Sequence, residues 1–567
     1  MDKRVIAFLV LSLAIILGFD LVLRQMGWLP EPPPAQDGSA QPPPSPEQEP
    51  TSTLQTGKDS ASTSLSVPTQ SGMKSGAPAS GISLPVSEQT VTIETDLVRV
   101  ELSNRGGVIH SWELKRYHTE PPKEKPVQLV YQGGKFKGPL SMTVANADID
   151  KTIREGLYNI EKDFSKLDAA HPVGHVTMRF HDPVTHLAIE KQLTFHHDSY
   201  VVDVSFAIEG VTESYDIGLG TNFGIVEWGD GFIGLIGSAS QVDNKIEKET
   251  PEKELERNGA VQWVALQDKY FLSVLIPKTG AAALAKTEDP KIVSAGVRMA
   301  ASGGGASSVA LQLYAGPKEY DTLRSMNIGL EDMIDFGWFI YGSWTVVKSV
   351  AKPIFYILRF IHEYINNYGV CIILLTMGIK LLFVPLQYKS YKSMKMMRLI
   401  QPKIKEVQEK YKGDRDRLNK ELMKLYREQK VNPLGGFLPM FLQMPVFISL
   451  FNVLYMTIDL RQAPFMLWVT DLSLQDPYYV LPVLMGASMF IQQKITPTTM
   501  DPAQAKIMLV LPIGLTFLFV NFPAGLVLYW LTNNVLTITQ QLVTDRFLLT
   551  DKALLAAGAE QSGSTSA

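Results

Sequence analysis

The chain has 567 residues, 45% of them hydrophobic, and a formal net charge of −4. That average fits no single class: the length admits several domains, and the composition differs sharply from segment to segment. The single cysteine, Cys371, excludes an internal disulfide and lies too far from the N-terminus for a lipoprotein anchor.

Residues 1–26 open with Lys3 and Arg4 ahead of an apolar run of 19 residues, Val5 to Leu23, interrupted only by Asp20. The run is close to the ~20 residues that span hydrocarbon. Arg24, Gln25, Met26 and Trp28 follow where a cleaved signal would place small residues. The segment reads as an uncleaved anchor with a cytoplasmic N-terminus. Residues 27–88 are dominated by Pro, Ser, Gly, Gln and Thr, and cannot bury enough apolar surface to offset chain entropy. They form a flexible periplasmic linker, in which the Ser71-x-x-Lys74 spacing is coincidental.

From 89 to 325 the pattern changes to period two. "VTIETDLVRVELS", "HLAIEKQLTF" and "VVDVSFAIEG" alternate apolar and polar residues, and at least three such runs follow one another between Val173 and Gly210. This predicts a meander within one large β-sandwich. Eight of the nine histidines fall here, His175, His186, His196 and His197 among them, without a metal-ligand spacing. Surface and turn positions account for them, and no cofactor is expected. In 326–368, Phe336, Trp338, Phe339, Tyr341 and Trp344 precede apolar residues broken at helical spacing by Lys348, Lys352 and Arg359. That predicts an amphipathic helix in the membrane interface.

Apolar segments at 369–388, 435–458, 478–494, 507–521 and 524–544 follow, giving six transmembrane spans with the N-terminal anchor. Between Lys389 and Lys430 there are 14 Lys/Arg and 6 Asp/Glu, whereas the 459–477 loop has one Arg and three Asp. The positive-inside rule therefore places 389–434 in the cytoplasm with the 495–506 loop, and 459–477 in the periplasm with the β domain. The tail, 545–567, is then cytoplasmic, as is the N-terminus. Within 389–434, Ile400, Ile404, Val407 and Tyr411 form one stripe and Leu418, Leu422 and Leu425 another, on either side of Gly413–Asp414. Two amphipathic helices zipped as a hairpin are predicted. Their remaining surface, with Lys403, Lys405, Lys410, Lys412, Arg415 and Arg417, suits an anionic partner: a lipid headgroup, ribosomal RNA or an acidic protein.

Lys380 stands alone in the middle of "CIILLTMGIKLLFVPLQYKS", and the interior of the five later spans holds no acid to pair with it. An intramembrane charge normally faces protein or water. A hydrated groove is predicted, lined by Lys380, Thr376 one turn earlier, Gln443, and the stripe Tyr529, Asn533, Thr537 and Gln540. Interhelical hydrogen bonding is the plainer explanation for the uncharged members.

Four runs carry a resemblance: "QPKIKEVQEKY", "QKVNPLGGFLPMFLQMPVFISLF", "LRQAPFMLWVTDLSLQDPYYVLPVLMG" and "FPAGLVLYWLTNN". They are similar to the YidC branch of the YidC/Oxa/Alb family of membrane-protein insertases, and the likeness extends from the anchor to the last span. It implies a polytopic α-helical membrane protein, five of whose six transmembrane helices form the insertase core. It also implies a large periplasmic β-supersandwich, resembling a sugar mutarotase without its catalysis, and a cytoplasmic helical hairpin. By position, Lys380 stands where many bacterial members have arginine, which keeps the charge and loses the planar fork. Met444, Pro445, Tyr529 and Trp530 match substrate-contacting positions, although a second tyrosine is more usual at 530. The resemblance implies an insertase and chaperone rather than an enzyme. Its expected partners are nascent integral membrane proteins, Sec translocon components, the ribosome and membrane lipids, with no DNA. The main alternative is a small-solute transporter or channel, against which the spans show neither intramembrane acids nor internal repeats. A membrane-tethered carbohydrate enzyme is a further alternative.

Overall fold

The computed structural model describes residues 87–567 except 120–123, 134–136, 228–235, 250–253, 290, 301–305, 335, 337–344, 430, 432–437, 497–501 and 549–567. The anchor, nearly all of the linker, most of the aromatic cluster after 336 and most of the tail lie outside the described residues.

Period-two patterning becomes antiparallel sheet. Val173–Asp182, Leu187–His196 and Val201–Glu209 pair in sequence, Val173 opposite His196 and Phe195 opposite Val202. Along the middle strand Leu187, Ile189, Leu193 and Phe195 point inward, one residue in two. These strands belong to a nine-stranded sheet that runs, edge to edge, from Lys245–Glu249 through Gly237–Val242, Val261–Gln267, Phe271–Pro277, Ser307–Pro317 and the three meander strands to Asn159–Lys162. A five-stranded sheet, centred on Ile292–Met299 and Tyr215–Thr221, packs over its Val261–Gln267 half. A four-stranded sheet spans Thr90 to Gln128. Trp112, Trp263, Phe206 and Phe223 fill the core. Helix α1 (Ala147–Glu155) is capped by Asn146, whose side chain accepts from the amides of Asp148 and Ile149. One inward position departs from the pattern: Lys191 is fully buried, and its ammonium donates to the carbonyls of Gly106, Gly107 and Leu140 at 3.0, 2.8 and 3.0 Å. Burial pushes its pKa down to about 7.

After α2 (Tyr320–Ser325) the chain is helical: α3 (Thr345–Tyr364), α4 (Tyr368–Lys410), α5 (Arg415–Glu428), α6 (Leu438–Met456), α7 (Val480–Ile495), α8 (Pro502–Phe519) and α9 (Ala524–Val543). Helix α3 is amphipathic, burying Val347, Ala351, Ile354, Phe355 and Leu358 while exposing Val346, Ile357, Phe360 and Tyr364. Asn367 caps α4 through the Val370 amide. At 43 residues α4 is roughly 65 Å long, about twice the hydrocarbon thickness. The apolar segment and the first arm of the basic hairpin are thus one helix, continuing through Pro385 and Pro402. Asp414 caps α5, which packs against α4; the predicted stripe residues are buried or half-buried while the opposite faces are exposed. Among the described residues α4 alone is both long and apolar enough to cross a membrane by length and composition. Gln443–Met456, Val480–Ile495 and Leu509–Phe519 are shorter apolar helices. Leu381, Leu382, Val483, Val510, Ile513 and Phe517 are exposed on the helices' outer faces, the distribution a lipid solvent selects.

The β domain is fastened to the helical part. Arg461, from the loop after α6, donates to the His118 carbonyl at 3.0 Å, lies 3.7 Å from Glu227 and covers the rings of Tyr270 and Phe271. Asn452 and Ser449 on α6 donate to the carbonyls of Phe336 and Val347, fixing α6 to the segment that leaves the β domain.

Candidate functional site

Helices α4, α6, α7, α8 and α9 line an open cavity of about 510 Å³. Seven of the ten residues predicted for the groove line it: Lys380, Gln443, Met444, Tyr529, Trp530, Asn533 and Thr537. Thr376 is not in the lining. Its hydroxyl donates to the Ile372 carbonyl of its own helix, the usual resting place of a threonine in an apolar helix. Pro445 is also absent from the lining and lies within α6 beside Met444.

Lys380 is 7% exposed, yet Leu381 and Leu382 beside it are 66% and 76% exposed. The helix therefore turns its leucines outward and its ammonium into the cavity. There Nζ donates to Thr537 Oγ1 at 2.7 Å. Thr537 donates in turn to the Asn533 carbonyl, and Gln443 Nε2 reaches Asn533 Oδ1 at 3.3 Å. Among the described residues no carboxylate lies within ion-pair distance of Lys380. The ammonium has, among the described residues, one protein acceptor for three donors, which leaves room for water or a guest to supply the others.

Sequence reasoning missed part of the wall. Gln387, Tyr391 and Met394 stand 7, 11 and 14 residues after Lys380 on one face of α4, and Ser390 joins them. That helical stripe was available in the sequence, but a boundary at 388 hid it. Gln492 and Gln493 on α7, and Thr496 at its C-terminal cap, add polar groups. Asn534, adjacent to the predicted stripe, donates to Ser488 Oγ at 3.0 Å, and Gln541 donates to the Ile495 carbonyl at 3.0 Å. These bonds hold α9 to α7. Gln540, predicted on the stripe, is outside the lining. Phe447 and Phe519 pack edge-on against Trp530. At the start of α9 the Ala524 and Gly525 amides donate to the Leu474 and Leu472 carbonyls, tying that helix to the loop before α7.

On the hairpin, Lys403, Lys405, Lys410, Lys412 and Arg417 are exposed, while the Arg415 side chain lies outside the described residues. Arg417 and Lys410 flank the Tyr411 ring. Among the described residues no cluster of His, Cys, Asp or Glu suits a metal.

Two family models match the chain: one described as "YidC periplasmic domain" over residues 90–357 and one as "60Kd inner membrane protein" over 360–551. A membrane protein insertase YidC of Geotalea uraniireducens is 37% identical over 564 residues, covering 97% of this chain and 100% of its own. The chain belongs to the YidC family. Another YidC, from Syntrophus aciditrophicus, is 36% identical over 560 residues, 95% of this chain and 99% of its own. A crystal structure of an active YidC insertase with its first transmembrane domain resolved aligns with 81% of this chain and 93% of its own, at 17% identity and a TM-score of 0.35. YidC proteins are inner-membrane proteins with a periplasmic domain, and the family is one of insertases rather than enzymes.

Proposed function

We propose that this YidC protein inserts integral membrane proteins through the cavity around Lys380. The observation that carries the reading is a buried ammonium with unfilled donors in a polar cavity, surrounded by helices whose outer faces are apolar. A polar segment entering from the hairpin side would meet Lys380, Gln443 and Asn533 instead of dry hydrocarbon, which lowers the barrier to crossing. An emerging apolar helix would leave past Met444, which is 44% exposed at the rim.

In this reading the core has five spans, the N-terminal anchor makes six, both termini are cytoplasmic, and the β domain and the 459–477 loop are periplasmic. The 14-to-6 excess of basic over acidic residues between Lys389 and Lys430 supports that orientation. The basic hairpin receives substrates from ribosomes, with lipid headgroups and Sec components as further partners. Purified protein in vesicles, supplied with a substrate bearing a short translocated tail, tests this. Protease protection of the tail should fall when Gln443→Leu and Asn533→Leu are combined. Undiminished protection with normal protein levels would remove the cavity from the mechanism.

A further inference from the structure

The loop between α6 and α7 holds a tight turn in which the Phe465 amide donates to the Val469 carbonyl and the Val469 amide to the Met466 carbonyl. At its tip Met466 is 53% and Leu467 81% exposed, among the most exposed large apolar side chains of the helical part. Leu467 also has φ +54°, a strained backbone for a branched residue. A water-facing tip would ordinarily carry Gly or Asn there.

The turn is fixed at a defined level. Asn367, the cap of α4, donates from Nδ2 to the Phe465 carbonyl at 2.7 Å, and a side chain on Gly369 would overlap the Phe465 ring. The same loop binds the first amides of α9, and Tyr478 and Tyr479 lead directly into α7. The turn therefore sits at the starts of three apolar helices, whose outward Leu374, Val483 and Leu484 continue the exposed apolar surface. Beside the tip, Trp468 donates to Asp476 Oδ1 and packs edge-on against Tyr478, itself 70% exposed. An amphipathic aromatic pair beside two bare aliphatics matches the water–hydrocarbon boundary of a bilayer.

We infer that Met466 and Leu467 are a lipid anchor, buried at the acyl boundary of the outer leaflet and holding the starts of α4, α7 and α9 at a fixed depth. The leaflet assignment rests on the periplasmic placement of this loop given above.

The test uses the full chain in a Cys371→Ser background, since a serine hydroxyl keeps the bond to the Ile365 carbonyl made by the thiol. Spin labels are placed at Met466→Cys, at Leu467→Cys and at the exposed Thr470→Cys. The protein is reconstituted in phosphatidylethanolamine–phosphatidylglycerol vesicles. Power saturation should show collisions with a water-soluble nickel chelate several-fold lower at 466 and 467 than at 470, and oxygen collisions higher. Nickel contact at 466 and 467 equal to that at 470 would overturn the anchor, leaving a tip that faces water or awaits a protein. Should Leu467→Cys misfold, Met466→Cys gives the same reading. Separately, Thr470→Cys should react with an impermeant maleimide in intact spheroplasts. Reaction only after lysis would overturn the periplasmic placement and so the leaflet, without altering the depth result.

Discussion

Replacing Lys380 separates a structural role from an electrostatic one, because the two predict opposite changes in stability. Lys380→Met removes one hydrogen bond, to Thr537, of a kind worth about 0.6 kcal/mol in membrane proteins. It also removes a charge whose placement in a membrane helix costs ~3 kcal/mol on insertion scales. The variant should be as stable as the parent or up to about 2 kcal/mol more so. Function should move the other way. A substrate carboxylate ~6 Å from the ammonium, at an effective dielectric near 20, gains ~3 kcal/mol, roughly a hundredfold in occupancy. Lys380→Arg should preserve insertion, since the charge remains. Lys380→Gln should keep the bond to Thr537 yet insert acidic-tailed substrates poorly, and Lys380→Glu should be worse still. Vesicle insertion of one acidic-tailed and one neutral-tailed substrate, alongside thermal unfolding of each variant, measures both quantities. Full activity of Lys380→Gln and Lys380→Glu, or a large loss of stability in Lys380→Met, would refute the electrostatic role.

Three further outcomes follow from the geometry. Lys191 titrates near 7 when folded and near 10.5 when unfolded, so the unfolded state binds more protons between those values and stability must rise with pH there. From pH 7 to 9 the gain should be about 2 kcal/mol in β-domain unfolding, and Lys191→Met should abolish that slope. Arg461→Ala should cost about 2 kcal/mol at the junction and open the loop after α6 to protease, with Arg461→Lys intermediate because it cannot span both acceptors. Deleting Lys403–Glu428 with a short linker, which spares the cavity-lining Ser390, Tyr391 and Met394, should leave an assembled protein that binds ribosomes poorly and inserts poorly. Normal insertion by that deletion would reduce the hairpin's charge to a topological signal.

Where one periodicity governed a segment, the structure was legible. The meander from Val173 to Glu209 and the hairpin stripes at Ile400, Ile404, Val407 and Tyr411 follow from spacing alone, because each has a single face to bury. Lys380 announced a cavity because an ammonium in hydrocarbon has few alternatives. What escaped depended on contacts between segments distant in sequence. Nothing local distinguishes Asn533, which accepts from Gln443 on α6, from Asn534, which is buried against Ser488 on α7; only the approach of the neighbouring helices decides. Ser449 and Asn452, polar residues within an apolar segment, bind backbone carbonyls of residues more than a hundred positions earlier. Lys191 occupies an inward position of an otherwise regular strand, and its three carbonyl acceptors come from two loops that no pattern links to it. Charge composition suggested a boundary at 388, while helix propensity carried α4 straight through it.

The central claim is that substrates pass through the cavity rather than along the outer faces of the helices. Photoreactive residues at Met444 and Trp530, with a control at Val483 on the outer face of α7, test it against a ribosome-stalled nascent membrane protein. Crosslinks from 444 and 530 but not from 483 are predicted, and weakening of both by Lys380→Glu. Crosslinks of equal strength at 483, or none at 444 and 530, would contradict it.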